Sequence, residues 1–89
     1  MSVPWTVSHL DADTYRFENS SGTKAVMITL QPIGTTTVAV VPSNGMDAHA
    51  VATPVDEGAS FDCRVKGTGV RITWTAPALR SHATWDFRP

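Results

Sequence analysis

The stretch SFDCRVKGTGVRITWT, residues 60–75, decides the fold. Two runs of alternating apolar and polar residues flank a Gly-Thr-Gly turn signal. Phe61, Cys63 and Val65 fall on one side, with Ser60, Asp62, Arg64 and Lys66 on the other. After the turn, Val70, Ile72, Trp74 and Ala76 share a side, and Arg71, Thr73 and Thr75 lie opposite. A period of two marks half-buried strands, because successive side chains leave the backbone on opposite faces. The stretch also holds the single cysteine of the chain. A two-residue loop at Thr68-Gly69 sets Cys63 opposite Trp74, and a loop at Gly67-Thr68 sets it opposite Ile72. Either register keeps apolar facing apolar. Cys63 therefore reads as a buried, inert small hydrophobe rather than a reactive thiol.

The same patterning extends outward in both directions. Strands are expected at 3–10, 14–19, 24–32, 37–42, 48–55, 60–66, 70–76 and 83–87. Val, Ile and Thr fill these runs, and Gly, Pro, Asn and Asp separate them at short intervals. Tyr15 and Phe17 share a face, as do Val26, Ile28 and Leu30. Asn44-Gly45 is a strong signal for a two-residue hairpin turn. A hairpin there pairs Val40 with His49 and Val38 with Val51. Pro77 ends the seventh strand, and the PALRSH segment has room for one helical turn.

With 89 residues, the chain has room for one domain, spanning 1–89. Seven or eight short strands in that length imply an all-β, two-sheet antiparallel sandwich of immunoglobulin-like type. A small open barrel is the alternative. The resemblance is one of architecture, since the paired cysteines of antibody domains are missing. A domain this small buries only about two-thirds of its unfolded surface, so added burial from a second copy or a partner is valuable.

Net charge is −1, and charged residues make up 17% of the chain. Neither figure suits a nucleic-acid module, which carries a basic excess. No run approaches a membrane span, and the N-terminal residues lack the basic and apolar regions of a signal peptide. The expectation is a protein of the cytoplasm, or one released within a larger particle, without nucleic-acid or membrane partners.

The segment around Asn44-Gly45 is the most unusual. Thr35–Val41 and Ala48–Val55 are free of charged residues on both faces, whereas a sandwich strand ordinarily shows one polar face. Val38, Ala39, Val40, Val41, Ala48, Ala50, Val51 and Ala52 are therefore the candidate interface, for a foreign protein or for another copy of the chain. The structural alternative is a set of small surface alanines, or cover supplied by a terminal segment.

Trp5 and Trp85, near the termini, are candidate aromatic contacts, with Tyr15, for a carbohydrate or other ligand; the alternative is that the core absorbs them. Arg64, Lys66 and Arg71 could form a patch for an anionic partner, but three charges are few, and Asp62 or Glu18 can balance them. His9, Asp11 and Asp13, with His49 or His82, hold the elements of a metal site, yet Asp-Ala-Asp reads more simply as a turn. The adjacency of Ser81 and His82 carries no catalytic meaning on a strand. No nucleophile elbow, phosphate loop or zinc motif is present. The sequence thus implies no catalytic residue, no metal and no cofactor. It implies a non-enzymatic interaction or structural module, such as a subunit or accessory component of a phage-type or other assembly. A carbohydrate-binding module is the alternative, and a small metal-dependent enzyme comes third.

Overall fold

Alternation along the chain builds two four-stranded antiparallel sheets that face one another in a computed structural model. The structure describes residues 3–41, 49–51 and 53–89. The strands are β1 (Trp5–His9), β2 (Thr14–Asn19), β3 (Val26–Ile33), β4 (Thr37–Val41), β5 (Ala50–Val51), β6 (Ser60–Lys66), β7 (Gly69–Ala76) and β8 (Ser81–Phe87). A 3-10 turn at Pro77–Leu79 joins the last two. One sheet has the order β1-β2-β6-β4 and the other β5-β3-β7-β8. With the two-residue β5 set aside, this is the strand order of a constant-type immunoglobulin sandwich. The strands fall into two separate sheets that do not join into a closed barrel, which favours the sandwich over the open-barrel alternative.

Both halves of the 60–75 stretch present their apolar sides to the core, but they do so from opposite sheets. β6 pairs with β2 and β4, and β7 pairs with β3 and β8. Cys63 therefore stands opposite Tyr15 and Val40, not Trp74 or Ile72. The Gly-Thr-Gly turn crosses between sheets instead of closing a hairpin. Alternation fixes which face a residue takes, and it is silent about which strand lies alongside.

The same reasoning corrects the hairpin expected between Val38–Val41 and Ala48–Val55. Val38 pairs with Val65 and Val40 with Cys63 at the edge of the first sheet. Val51 pairs with Ile28 at the edge of the second. Each strand meets the burial demand of its side chains against a different neighbour. The Asn44-Gly45 turn lies outside the described residues. A smaller correction concerns Val26, which pairs with Thr75 and leaves the face of Ile28 and Leu30. A bulge at Met27, with φ of 51°, shifts the register between Val26 and Thr29.

The core is aromatic along its length. Edge and stacked contacts run Tyr15–Phe87–Phe17–Phe61–Trp5–Trp74, with ring centroids 5.1 to 5.4 Å apart. Such geometries add about 0.5–1.5 kcal/mol per pair beyond area burial. Trp5 is 1% exposed, which settles its place inside the molecule. Its Nε1 has no hydrogen-bond partner among the described residues. The ring meets Phe61 and Trp74 nearly perpendicular, at 76° and 87°.

Asn19 is the one polar residue in the core of the described chain. Its Nδ2 donates to the carbonyls of Thr23 and Val55, and its Oδ1 accepts from the Ser21 amide and hydroxyl. With every polar atom engaged, its burial carries no desolvation penalty left unmet. It ties the loop after β2 to the chain ahead of β6.

Candidate functional site at the β4 edge

Among the described residues, β4 closes one side of the first sheet, with β6 as its strand neighbour. Three features of the sequence place it there. Thr36 precedes it and acts as a hub: its Oγ1 donates to the Ile33 carbonyl and accepts from the amides of Thr68 and Gly69 at 2.9 and 3.0 Å. Gly67, at φ of 137°, lets the β6–β7 connection pass close to Thr36. Val38 then turns into the core and is buried.

The remainder of the strand is less covered. Thr37 is exposed, and Ala39, Val40 and Val41 are half-buried. Ala39 and Val41 lie on the outer face in register with Arg64 and Asp62, and Thr37 lies beside Lys66. That outer face has a polarity. Asp62 marks the Val41 end, where Arg16 holds it at 2.9 Å, and Lys66 marks the Thr37 end. The bond to Asp62 pushes the pKa of the Arg16 guanidinium above its ordinary value.

An edge strand directs alternate backbone N–H and C=O groups away from its neighbour, ready for another strand. Proteins blunt such edges with charge, proline, bulges or short length. Here β5 has only two residues, β1 carries His9, and β8 carries His82 and Asp86. β4 has five residues and no ionisable side chain. Its chemistry is that of a template for strand addition.

The candidate interface residues thus divide into two groups. Val38, Ala39, Val40 and Val41 form the β4 edge, and Ala50 and Val51 form the β5 edge of the facing sheet. β3, the partner of β5, also touches β4, so both edges border the same flank of the sandwich. Ala48 and Ala52 lie outside the described residues.

The other candidates are dispersed. Trp85 is half-buried and stacks on Phe87, while Tyr15 stacks on His9 and meets Phe87 edge-on. With Trp5 in the core, these rings form no flat exposed platform. Arg71 is separated from Arg64 and Lys66, since it lies on the other sheet. There it pairs with Asp86 at 2.8 Å. His9 Nε2 lies 3.2 Å from the Ala12 carbonyl, and His82 Nδ1 lies 3.0 Å from the Thr75 hydroxyl. Among the described residues, no group of three or more His, Cys, Asp or Glu side chains is placed to hold a metal ion. Asp11, Ala12, Asp13, Thr14 and Arg64 line an open hollow of about 170 Å³. That is small beside the 300–1,000 Å³ of ordinary small-molecule sites.

Cys63 is fully buried, and burial pushes its thiol pKa up to about 12, against a smaller opposing effect from the Ala39 backbone. A neutral thiol is a poor nucleophile.

Sequence reading missed the part played by Thr36, which sits unremarkably in a run of three threonines. It also missed the bulge at Met27, where glycine would be the usual signal. The sequence matches no protein-family model, no curated protein and no solved structure.

Proposed function

We propose that the chain is a non-enzymatic interaction or structural module, a subunit or accessory component of a larger protein assembly. It engages its partner along the β4 edge. The observation that carries this reading is the five-residue edge strand without an ionisable side chain, whereas β5 has only two residues and β1 and β8 carry ionisable groups. Strand addition supplies backbone hydrogen bonds for affinity, while side chains on the two faces of the new strand set specificity. A virion-type or similar assembly is the kind of setting in which such a small module would add strands to a neighbour.

Ala39→Lys tests this reading, because a charged side chain at mid-edge disfavours strand pairing without entering the core. Tagged wild type and variant are incubated in extract of the source cells and sized by gel filtration. Circular dichroism confirms that the variant folds. A larger complex formed by wild type and lost in Ala39→Lys is the expected result. A complex of equal size and yield with both proteins, or none with either, overturns the reading.

A further inference from the structure

We infer that the occupant of the β4 edge is β4 of a second copy, added antiparallel about a two-fold axis at Ala39, to give a continuous eight-stranded sheet. This rests on the edge-binding reading above and adds the partner and the register.

The register follows from the strand itself. β4 spans Thr37–Val41, so Ala39 is its midpoint. A two-fold centred there opposes Ala39 with Ala39, Val38 with Val40, and Thr37 with Val41. All five residues are used, and inward valines meet inward valines. Centring on any other residue shortens the overlap. The small side chain of Ala39 permits the closest approach at the axis, and an isologous contact of this kind closes at two copies.

Charge agrees with this orientation. Val41 is in register with Asp62, and Thr37 with Lys66. Antiparallel pairing therefore puts Asp62 of one copy and Lys66 of the other in the same row, twice over. A centre at Val41 would align Asp62 with Asp62, and one at Thr37 would align Lys66 with Lys66. Each row joins charges on strands three spacings apart, about 14 Å between backbones. The long Lys66 side chain shortens that gap across Thr37 and Val41. The central row aligns Arg64 with Arg64, a single repulsive pair against two attractive ones. Asp11 and Asp13, which line the hollow with Arg64, offset that repulsion. Arg16 shares Asp62, so these charges select the orientation, while backbone bonds and apolar burial supply the affinity.

The test is a charge exchange between copies. Lys66→Glu puts two acidic pairs in the flanking rows of its own dimer, and Asp62→Lys puts two basic pairs in its own. Mixed together, the two variants restore opposite charges in both rows. Light scattering over a concentration series, with reductant present, reads the mass. Wild type is expected to dimerise. At low ionic strength each variant alone should dissociate about threefold more readily, and their mixture should return toward the wild-type value. Wild type that stays monomeric at every concentration overturns the inference, as do variants whose dimerisation is unchanged.

If either variant misfolds, cross-linking decides in the otherwise unaltered chain. Ala39→Cys should form a disulfide-linked dimer under mild oxidation, and Val41→Cys alone should not. Linking through position 41, or through neither position, overturns the register. Monomeric wild type that still enters an Ala39-dependent complex in extract leaves the edge-binding reading standing and removes only the self-pairing. Loss of both results removes both.

Discussion

β4 and β8 each end a sheet, and each abuts one glycine of the same Gly-Thr-Gly connection. A Cβ on Gly67 would come within 2.7 Å of the Thr36 Cα, just ahead of β4. A Cβ on Gly69 would come within 2.5 Å of the Phe87 carbonyl oxygen, at the end of β8. The connection between sheets thus seats both edges by letting backbones approach closely. Beyond that shared anchor the edges diverge. β8 faces solvent with His82, Thr84 and Asp86, joined sideways to Thr75, Thr73 and Arg71 of β7. β4 faces solvent with Thr37, Ala39 and Val41. One edge has its polar groups turned to internal pairing, and the other is bare. The difference separates the structural needs of the fold, which both edges meet, from the uncharged side chains of β4, which the packing of the fold does not account for.

The largest effects come from breaking the shared anchor. Gly67→Ala combines a backbone clash with a φ of 137° that an L side chain rarely adopts. It should cost about 3 kcal/mol, from overpacking and backbone strain together. Gly69→Ala, which meets backbone without the adverse φ, should cost about 2 kcal/mol. Urea unfolding measures both losses. Amide exchange separates them, with protection falling first along Thr37–Val41 in the one variant and along Ser81–Phe87 in the other. Equal loss across both strands in either variant would show that the glycines do not act on separate edges.

Exchanging the surface character of the edges gives the next largest effect. The double substitution His82→Val and Asp86→Val removes the ionisable groups of β8 and leaves a seven-residue edge without charge. It should associate through β8, seen as a new concentration-dependent mass in a background where Ala39→Lys has closed β4. If that protein remains monomeric, charge is not what keeps β8 from pairing.

Much of this contrast was legible in the sequence, and the rest was hidden for definable reasons. Alternation located seven of the eight strands to within two residues at each end, β5 being the exception, because burial of one face imposes period two whatever the neighbour. It also placed Cys63, Trp74 and Phe61 inside and marked Val38–Val41 as short of charge. Strand neighbours were not legible. Asn44-Gly45 suggested that β4 and β5 pair, and Gly67–Gly69 suggested the same of β6 and β7. In a sandwich, a turn signal serves equally well to cross between sheets, and the choice rests on side-chain packing far away in sequence. Trp5 was indeterminate for a related reason. A residue near a terminus has few neighbours in sequence, and its contacts with Phe61 and Trp74 span more than 50 residues. The polarity from Asp62 to Lys66 was visible as charge, but its meaning depends on β6 lying beside β4.

The smallest effect tests how firmly the β8 edge holds its own charges. Arg71 Nε donates to Asp86 Oδ1 at 2.8 Å, and its second nitrogen reaches Oδ2 at 3.2 Å. This bidentate bond is the main reason that the Asp86 pKa lies below the ordinary carboxylate value, with the charges of Arg71 and Arg88 adding to it and modest burial opposing. A lowered folded-state pKa means that the unfolded chain takes up its proton first as pH falls. The stabilisation is therefore present above the ordinary value near 3.8 and is lost as pH drops through the folded-state value. Arg71→Gln should bring the Asp86 titration, followed by carboxyl NMR shifts, back toward the ordinary range. It should also flatten the acid limb of the stability curve. The change in stability at neutral pH should be slight, since both side chains are partly exposed and the pair is screened by water and salt. An Asp86 titration that does not move in Arg71→Gln would mean that Arg88, rather than the cross-strand partner, governs this carboxylate. The β8 edge would then be protected by the charge at its end and not by pairing along its length.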